Sequence, residues 1–163
     1  MVKLVVRIGV AFFVIILAAI LAGQCGLWRG QPPVDLGVKA GRLKPPSFTS
    51  NSVSSQADLY PDHPQKAYAM IAPFAYTGDG VLAMRKLAEI LQRSERTEII
   101  RQDADYIYAQ CTTRLMRFTD DLEFWLDPAH GVIQVRSASR LGAEDLGVNR
   151  ERVEHIRTQF QKN

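Results

Sequence analysis

Between Asp121 and Val135 the chain carries a two-residue alternation that a half-buried hairpin satisfies and a helix does not. Leu122, Phe124 and Leu126 alternate with Asp121, Glu123 and Trp125. After Pro128-Ala129-His130-Gly131 the alternation resumes through Ile133 and Val135. A loop that ends in Gly131 suits a type I turn followed by a left-handed residue. The register that results pairs Asp127 with Val132, Phe124 with Val135 and Glu123 with Arg136, and it gathers Leu122, Phe124, Leu126, Ile133 and Val135 on one face. A slip of one residue scatters them over both.

The amino-terminal end has a different character. Ile8 to Gly23 carries no charge, and with the residues back to Leu4 it makes a segment of about twenty residues, roughly the 30 Å that a bilayer-spanning helix needs. Arg7 can snorkel to the headgroups. The formal charge of +3 is partly a property of this leader, because Lys3 and Arg7 lie in it and no acid does. Beyond Gly23, 18 basic residues face 17 acidic ones, a net of +1. So balanced a remainder excludes a nucleic-acid partner of the electrostatic kind. The positive-inside rule keeps Lys3 and Arg7 cytoplasmic and places the rest of the chain across the membrane. The expectation is a single-pass protein of the inner membrane with its C-terminal domain on the periplasmic or other extracytoplasmic side. An uncleaved anchor is preferred to a cleaved signal, because the apolar run exceeds a usual signal core. Cys25 raises a third reading, lipidation, which Gln24 disfavours by standing where a small residue is wanted. Cys25 and Cys111 are too few for a disulfide framework, and Cys111 reads as a small core residue.

Three regions follow: residues 1–23 as anchor or signal, 24–64 as a Pro/Ser-rich tether, and 65–163 as the globular domain. The tether contains Pro32-Pro33, Pro45-Pro46, Pro61 and Pro64 with too few apolar residues for a core of its own, and its later part can lie against the domain. Lys66 to Ala75 is expected as an edge strand. A helix from about Gly80 to Arg93, N-capped by Asp79, places Met84, Leu87, Ile90 and Leu91 on one stripe. Strands follow at Thr97–Ile100 and Tyr106–Thr113, then a bulge or loop over Arg114–Thr119 before the hairpin. Asn149 is expected as the N-cap of a last helix, with Val148 and Val153 forming a hydrophobic staple and Val153, Ile156 and Phe160 facing the sheet. Together these elements predict an α+β domain: a small antiparallel sheet with two helices on one face and a wetter opposite face, preceded by a transmembrane helix.

The run from Asp103 to Arg157 resembles a bacterial and plastid family known only as a domain of unknown function, number fourteen ninety-nine. RFTDDLEF, IQVRSASR and DLGVNRERVE match its signature blocks in order, and NSVSSQ at Asn51 to Gln56 is similar to its amino-terminal block. Many relatives carry cysteines in that block where this chain has Ser47 and Ser52, which withdraws any disulfide or metal role for it here. The resemblance implies a domain behind a membrane or export segment, and it brings no activity with it.

Candidate site residues crowd the hairpin and the last helix: Asp121, Glu123, Arg136, Ser137, Ser139, Arg140, Asn149 and Arg150. Glu123 and Arg136 face each other as a cross-strand ion pair. Arg136 and Arg140 share a strand face and can clamp a carboxylate or phosphate, aided by the N-terminus of the last helix. No catalytic set is read from the sequence. Ser54, Ser55 and Ser137 lack a histidine at a telling spacing, His63, His130 and His155 are isolated, and Asp120 and Asp121 point to opposite faces of a strand. No cofactor is expected. Three functions remain: a membrane-anchored interaction module or accessory subunit of a membrane protein assembly; a carrier of an anionic lipid or peptide on the Arg136/Arg140 strand; and an enzyme of unfamiliar type using Asp120, Glu123 and the arginines.

Overall fold

The computed structural model describes residues 1–162. Val2–Gln24 forms one helix, α1, the one helix among the described residues that is long and apolar enough to cross a bilayer. Its side chains are exposed through Ala18, and only the stretch from Ala19 onwards meets the rest of the protein, most closely at the buried Gly23.

The alternating segments pair into one six-stranded antiparallel sheet. Its strands are β1 (Ser52–Ser54), β2 (Phe74–Ala75), β3 (Thr97–Gln102), β4 (Tyr106–Thr112), β5 (Thr119–Asp127) and β6 (Val132–Ser139). The order is β1-β6-β5-β4-β3, with β2 also on the outer edge of β6. The β5–β6 hairpin has the expected register, Glu123 opposite Arg136, Phe124 opposite Val135 and Asp127 opposite Val132. Gly131 closes the turn at φ +64°, a left-handed conformation that glycine adopts without strain. The expected interruption between β4 and β5 is a turn at Arg114–Met116, after which Thr119 pairs with Thr112.

Period two then sorts the side chains. Ile107, Ala109, Leu122, Phe124, Leu126, Ile133 and Val135 project to one side and join a single buried cluster. Met84, Leu87, Ile90 and Leu91 of α3 (Gly80–Arg93) belong to the same cluster, as do Val153, Ile156 and Phe160 of α4 (Val148–Lys162). Asp79 caps α3 as its position predicts, accepting from the Val81 and Leu82 N–H groups. Phe74 sits edge-on to both Phe124 and Phe160 and ties strand, sheet and helix together.

Three expectations are corrected. Lys66–Ala75 is not one edge strand: Lys66–Ala69 closes a helical turn, α2, and only Phe74–Ala75 pairs with β6. The carbonyls between are taken by guanidiniums of α4, Arg150 on Tyr68 and Met70 and Arg157 on Ala72 and Pro73, so no strand partner is needed. Asn149 is not the N-cap of α4, which begins at Val148; Asp145 receives the free Gly147 and Asn149 N–H groups instead. Val148 is exposed, so no staple forms with the buried Val153.

The third correction concerns the face away from α3 and α4, which is dry at its centre although Tyr108, Gln110, Thr112 and Trp125 are only half-buried. Residues Gln31 to Pro46 run across it as a strap. A tight turn at Ala40-Gly41, both at positive φ, closes on reciprocal Lys39 and Arg42 hydrogen bonds and turns Leu43 inward, where it is buried. Gln56 pins the strap by accepting from the Leu43 N–H at 2.8 Å and donating to the Gly41 carbonyl at 3.1 Å. The proline pairs give the strap low conformational entropy to lose on ordering.

Candidate functional site

Because β5 and β6 are covered on both faces, the charged residues that alternate with the apolar ones are buried. Under the strap, Glu123 is 0 % exposed, Asp121 1 % and Arg136 3 %. Burying charge is costly unless each group is paired and hydrogen-bonded. Glu123 Oε1 accepts from the Tyr106 hydroxyl at 2.7 Å and from the Gly37 N–H of the strap at 2.8 Å. Glu123 Oε2 faces Arg136 Nη1 at 3.5 Å and is otherwise without a hydrogen-bond partner among the described residues. The Arg136 Nε–H donates to the Pro45 carbonyl at 3.3 Å.

One register position along, Arg140 holds Asp121 edge-on, Nε at 3.0 Å from Oδ2 and Nη2 at 2.7 Å from Oδ1, the bidentate geometry of a strong pair. The Tyr108 hydroxyl donates to the same carboxylate at 2.6 Å and accepts from Gln110 at 2.8 Å. Between strap and sheet lies a cavity of about 490 Å³ lined in part by Asp35, Lys44, Asp121, Arg136 and Arg140. Lys44 pairs with Asp35 at 2.6 Å, so with Glu123 the region holds three acids against three bases. A polar molecule carrying both signs suits such a lining better than a bare anion.

Burial shifts the titration of these groups in the senses the pairs dictate. Burial lowers the Arg136 guanidinium, against the raising pull of Glu123, Asp121 and Asp35. Burial also lowers Arg140, but the hydrogen bond and charge of Asp121, with Tyr108, outweigh it and the net shift is upward. Tyr106 and Tyr108 are both raised, first by burial and then by the carboxylates they serve, so each stays a hydroxyl donor at neutral pH.

The opposite side of the same strands carries a second polar cluster, centred on the fully buried Asn149. Asn149 Oδ1 accepts from the Ser137 hydroxyl and from Arg152 Nη1, and its Nδ2 donates to the Asn51 carbonyl, Ser139 Oγ and Asp145 Oδ2. Arg152 reaches on to Asp120, and Asp145 receives the Tyr68 hydroxyl. Burial raises Asp145, yet the hydrogen bonds from Tyr68, Asn149 and Gly147 prevail and hold it below the usual carboxylate range. The same contact lifts Tyr68, through burial and then Asp145, to about 12.

The eight candidate residues thus fall into three places. Asp121, Glu123, Arg136 and Arg140 lie under the strap; Ser137, Ser139 and Asn149 lie under α4; Arg150 is at the surface and holds carbonyls. Tyr106 and Tyr108 were legible as partners, since they alternate with Ile107 and Ala109 and so share a face with Asp121 and Glu123. Arg152, three residues past Asn149 and therefore on its helical face, was equally legible. Gly37, Asp35, Lys44 and Pro45 carried no such signal. The histidines are dispersed: His63 stacks on Phe48, His130 meets Asp127 at 2.8 Å, and His155 meets Gln159 at 2.8 Å.

A double-covered antiparallel sheet with buried ion pairs, carried on one helix apolar enough to span a bilayer, defines the class: an α+β domain behind a single N-terminal apolar helix. Residues 42–160 match the model of the family described as "Protein of unknown function (DUF1499)", and the chain belongs to that family. No curated protein and no solved structure gives a significant match.

Proposed function

We propose that this chain is a membrane-anchored interaction module, an accessory subunit of a membrane protein assembly, with its domain on the extracytoplasmic side. The observation that carries the reading is how the anchor enters the domain. The Met116 carbonyl and the Trp28 ring crowd the place where a side chain at Gly23 would stand, and Gln24 donates to the Leu115 carbonyl at 2.8 Å. The Trp28 indole folds back to donate to the Ala19 carbonyl at 2.9 Å. An anchor built into the body fixes the height and attitude of the domain above the lipid, which serves docking to a neighbour in the same membrane. Removal of α1 as a signal would discard that contact, so the uncleaved form is the one this geometry favours. Lys3 and Arg7 supply the orientation.

The test is chemical crosslinking of the full chain in intact membranes, gentle detergent extraction and mass spectrometry. The expected result is an uncleaved chain, unmodified at Cys25, joined reproducibly to one membrane protein. A cleaved chain, or a lone monomer in every preparation, refutes the reading.

The cavity under the strap favours a second reading, a carrier of a polar or zwitterionic molecule beside Arg136 and Arg140. Native mass spectrometry of the purified chain then shows a bound small molecule that Arg140→Ala loses.

A further inference from the structure

At the end of the sheet from which α1 departs, a separate small cavity of about 210 Å³ is lined in part by Arg29, Arg96, Arg117, Glu98 and Thr119. We propose that it seats the phosphate of a phospholipid headgroup from the leaflet at the carboxyl end of α1. This rests on the reading of α1 as a membrane span.

Position comes first. Arg29 stands five residues beyond the end of α1, and Arg117 adjoins Met116, whose carbonyl touches Gly23. The cavity therefore opens where the apolar helix ends, at the depth of lipid headgroups. Its surroundings have interfacial character: Leu27, Leu115 and Phe118 are exposed around the helix exit, and Trp28 lies along the last turns of α1.

Charge and hydrogen bonding follow. Three guanidiniums face one carboxylate, Glu98; Arg96 also pairs with Glu95 at 2.6 Å outside the lining. A phosphate ester brings the missing negative charge and oxygens that suit the planar fork of arginine. Thr119 is the second, independent sign. Its hydroxyl is buried, only 3 % of the residue is exposed, and Oγ1 has no hydrogen-bond partner among the described residues. A buried hydroxyl left unpaired is costly, and Thr119 is one of the residues that line this cationic cavity.

The test is native mass spectrometry of the full chain in detergent, titrated with phosphatidylglycerol and, separately, with inorganic phosphate, comparing the parent with Arg29→Gln/Arg117→Gln and with Thr119→Val. The expected result is one phosphatidylglycerol retained at high collision energy by the parent, with affinity at least about tenfold weaker in the arginine variant and measurably weaker in Thr119→Val. Circular dichroism should show both variants folded. Equal retention by parent and variants overturns the proposal, as does inorganic phosphate binding as tightly as the lipid. Flotation of the chain with phosphatidylglycerol vesicles separates the two readings. A chain that floats but shows variant-independent lipid adducts loses the headgroup seat and keeps the anchor, whereas a chain that does not float loses the anchor.

Discussion

The Tyr106 hydroxyl donates to the Glu123 carboxylate across 2.7 Å in a part of the sheet that water does not reach. That bond occupies one oxygen and leaves the other to balance Arg136, so the pair is a three-residue unit. Glu123→Gln removes the charge while leaving the Tyr106 acceptor, and strands the buried guanidinium. The expected loss is about 3–5 kcal/mol of unfolding free energy, with much of it recovered in Glu123→Gln/Arg136→Met. Denaturant titration in detergent measures both, and a single variant within about 1 kcal/mol of the parent refutes the idea.

Beside the Gln56 and Pro45 contacts, the strap is tied to the Glu123 carboxylate through the Gly37 N–H, from a residue at φ +102°. Proline at this position removes the donor and cannot take that φ. Gly37→Pro should raise hydrogen–deuterium exchange at Leu43 and at the β5 amides of Asp121 and Glu123, leaving α3 protected. Unchanged exchange would mean that the strap is held elsewhere.

Asn149 bonds both backbone and side-chain groups in the cluster under α4, and no apolar group of its size can. Asn149→Leu removes one hydrogen bond each from the Ser137 hydroxyl, the Arg152 guanidinium and the Asn51 carbonyl, which keep their contacts with Arg152, Asp120 and the Ser139 N–H respectively, so the loss is about 0.5–1.5 kcal/mol per bond. The midpoint of unfolding should fall well beyond that of Arg150→Ala, whose side chain lies at the surface.

Tyr68 keeps its proton to about 12 in the folded protein, against 10 when free. The raised value means that its contribution is complete below pH 10 and is lost as pH climbs from there towards 12. Tyr68→Phe should flatten the alkaline arm of the stability profile across that window. At the acid end Asp145, held below its free value of 3.8, stabilises above that pH and ceases to as pH falls through its lowered value. Matching alkaline profiles for parent and variant would contradict the contact.

At Gly23 an added Cβ would lie 2.8 Å from the Trp28 ring and closer still to the Met116 carbonyl. Gly23→Val should therefore separate α1 from the β4–β5 turn without unfolding the sheet. Spin labels at Phe12 and Ala129 should report a broadened distance distribution; an unchanged one argues against a rigid junction.

The hairpin, its register and α3 were readable because each rests on local order: period two, turn chemistry and a capping aspartate agree over a few residues. The strap was not readable. Its attachment uses a glycine N–H, a proline carbonyl and one inward leucine, none of which forms a period. For the same reason the charged residues of β5 and β6 read as a solvated face, since alternation says which side chains share a face and not what covers it. The segment before β2 was misjudged because arginines far along the chain bind its carbonyls, a long-range effect that no local pattern carries. The residue type of Asn149 suits a cap, but the sequence of a helix start does not reveal that Asp145 reaches the free amides first.

β1 and β2 both lie along the outer border of β6, end to end, so that side of the sheet offers little unpaired backbone. The opposite border is β3, where the ladder slips between Ile99 and Arg101 and where Glu98 and Arg101 are exposed. A broken, charged margin is a poor template for another chain to add a strand to. Stacking of copies into fibrils through strand addition is thereby discouraged.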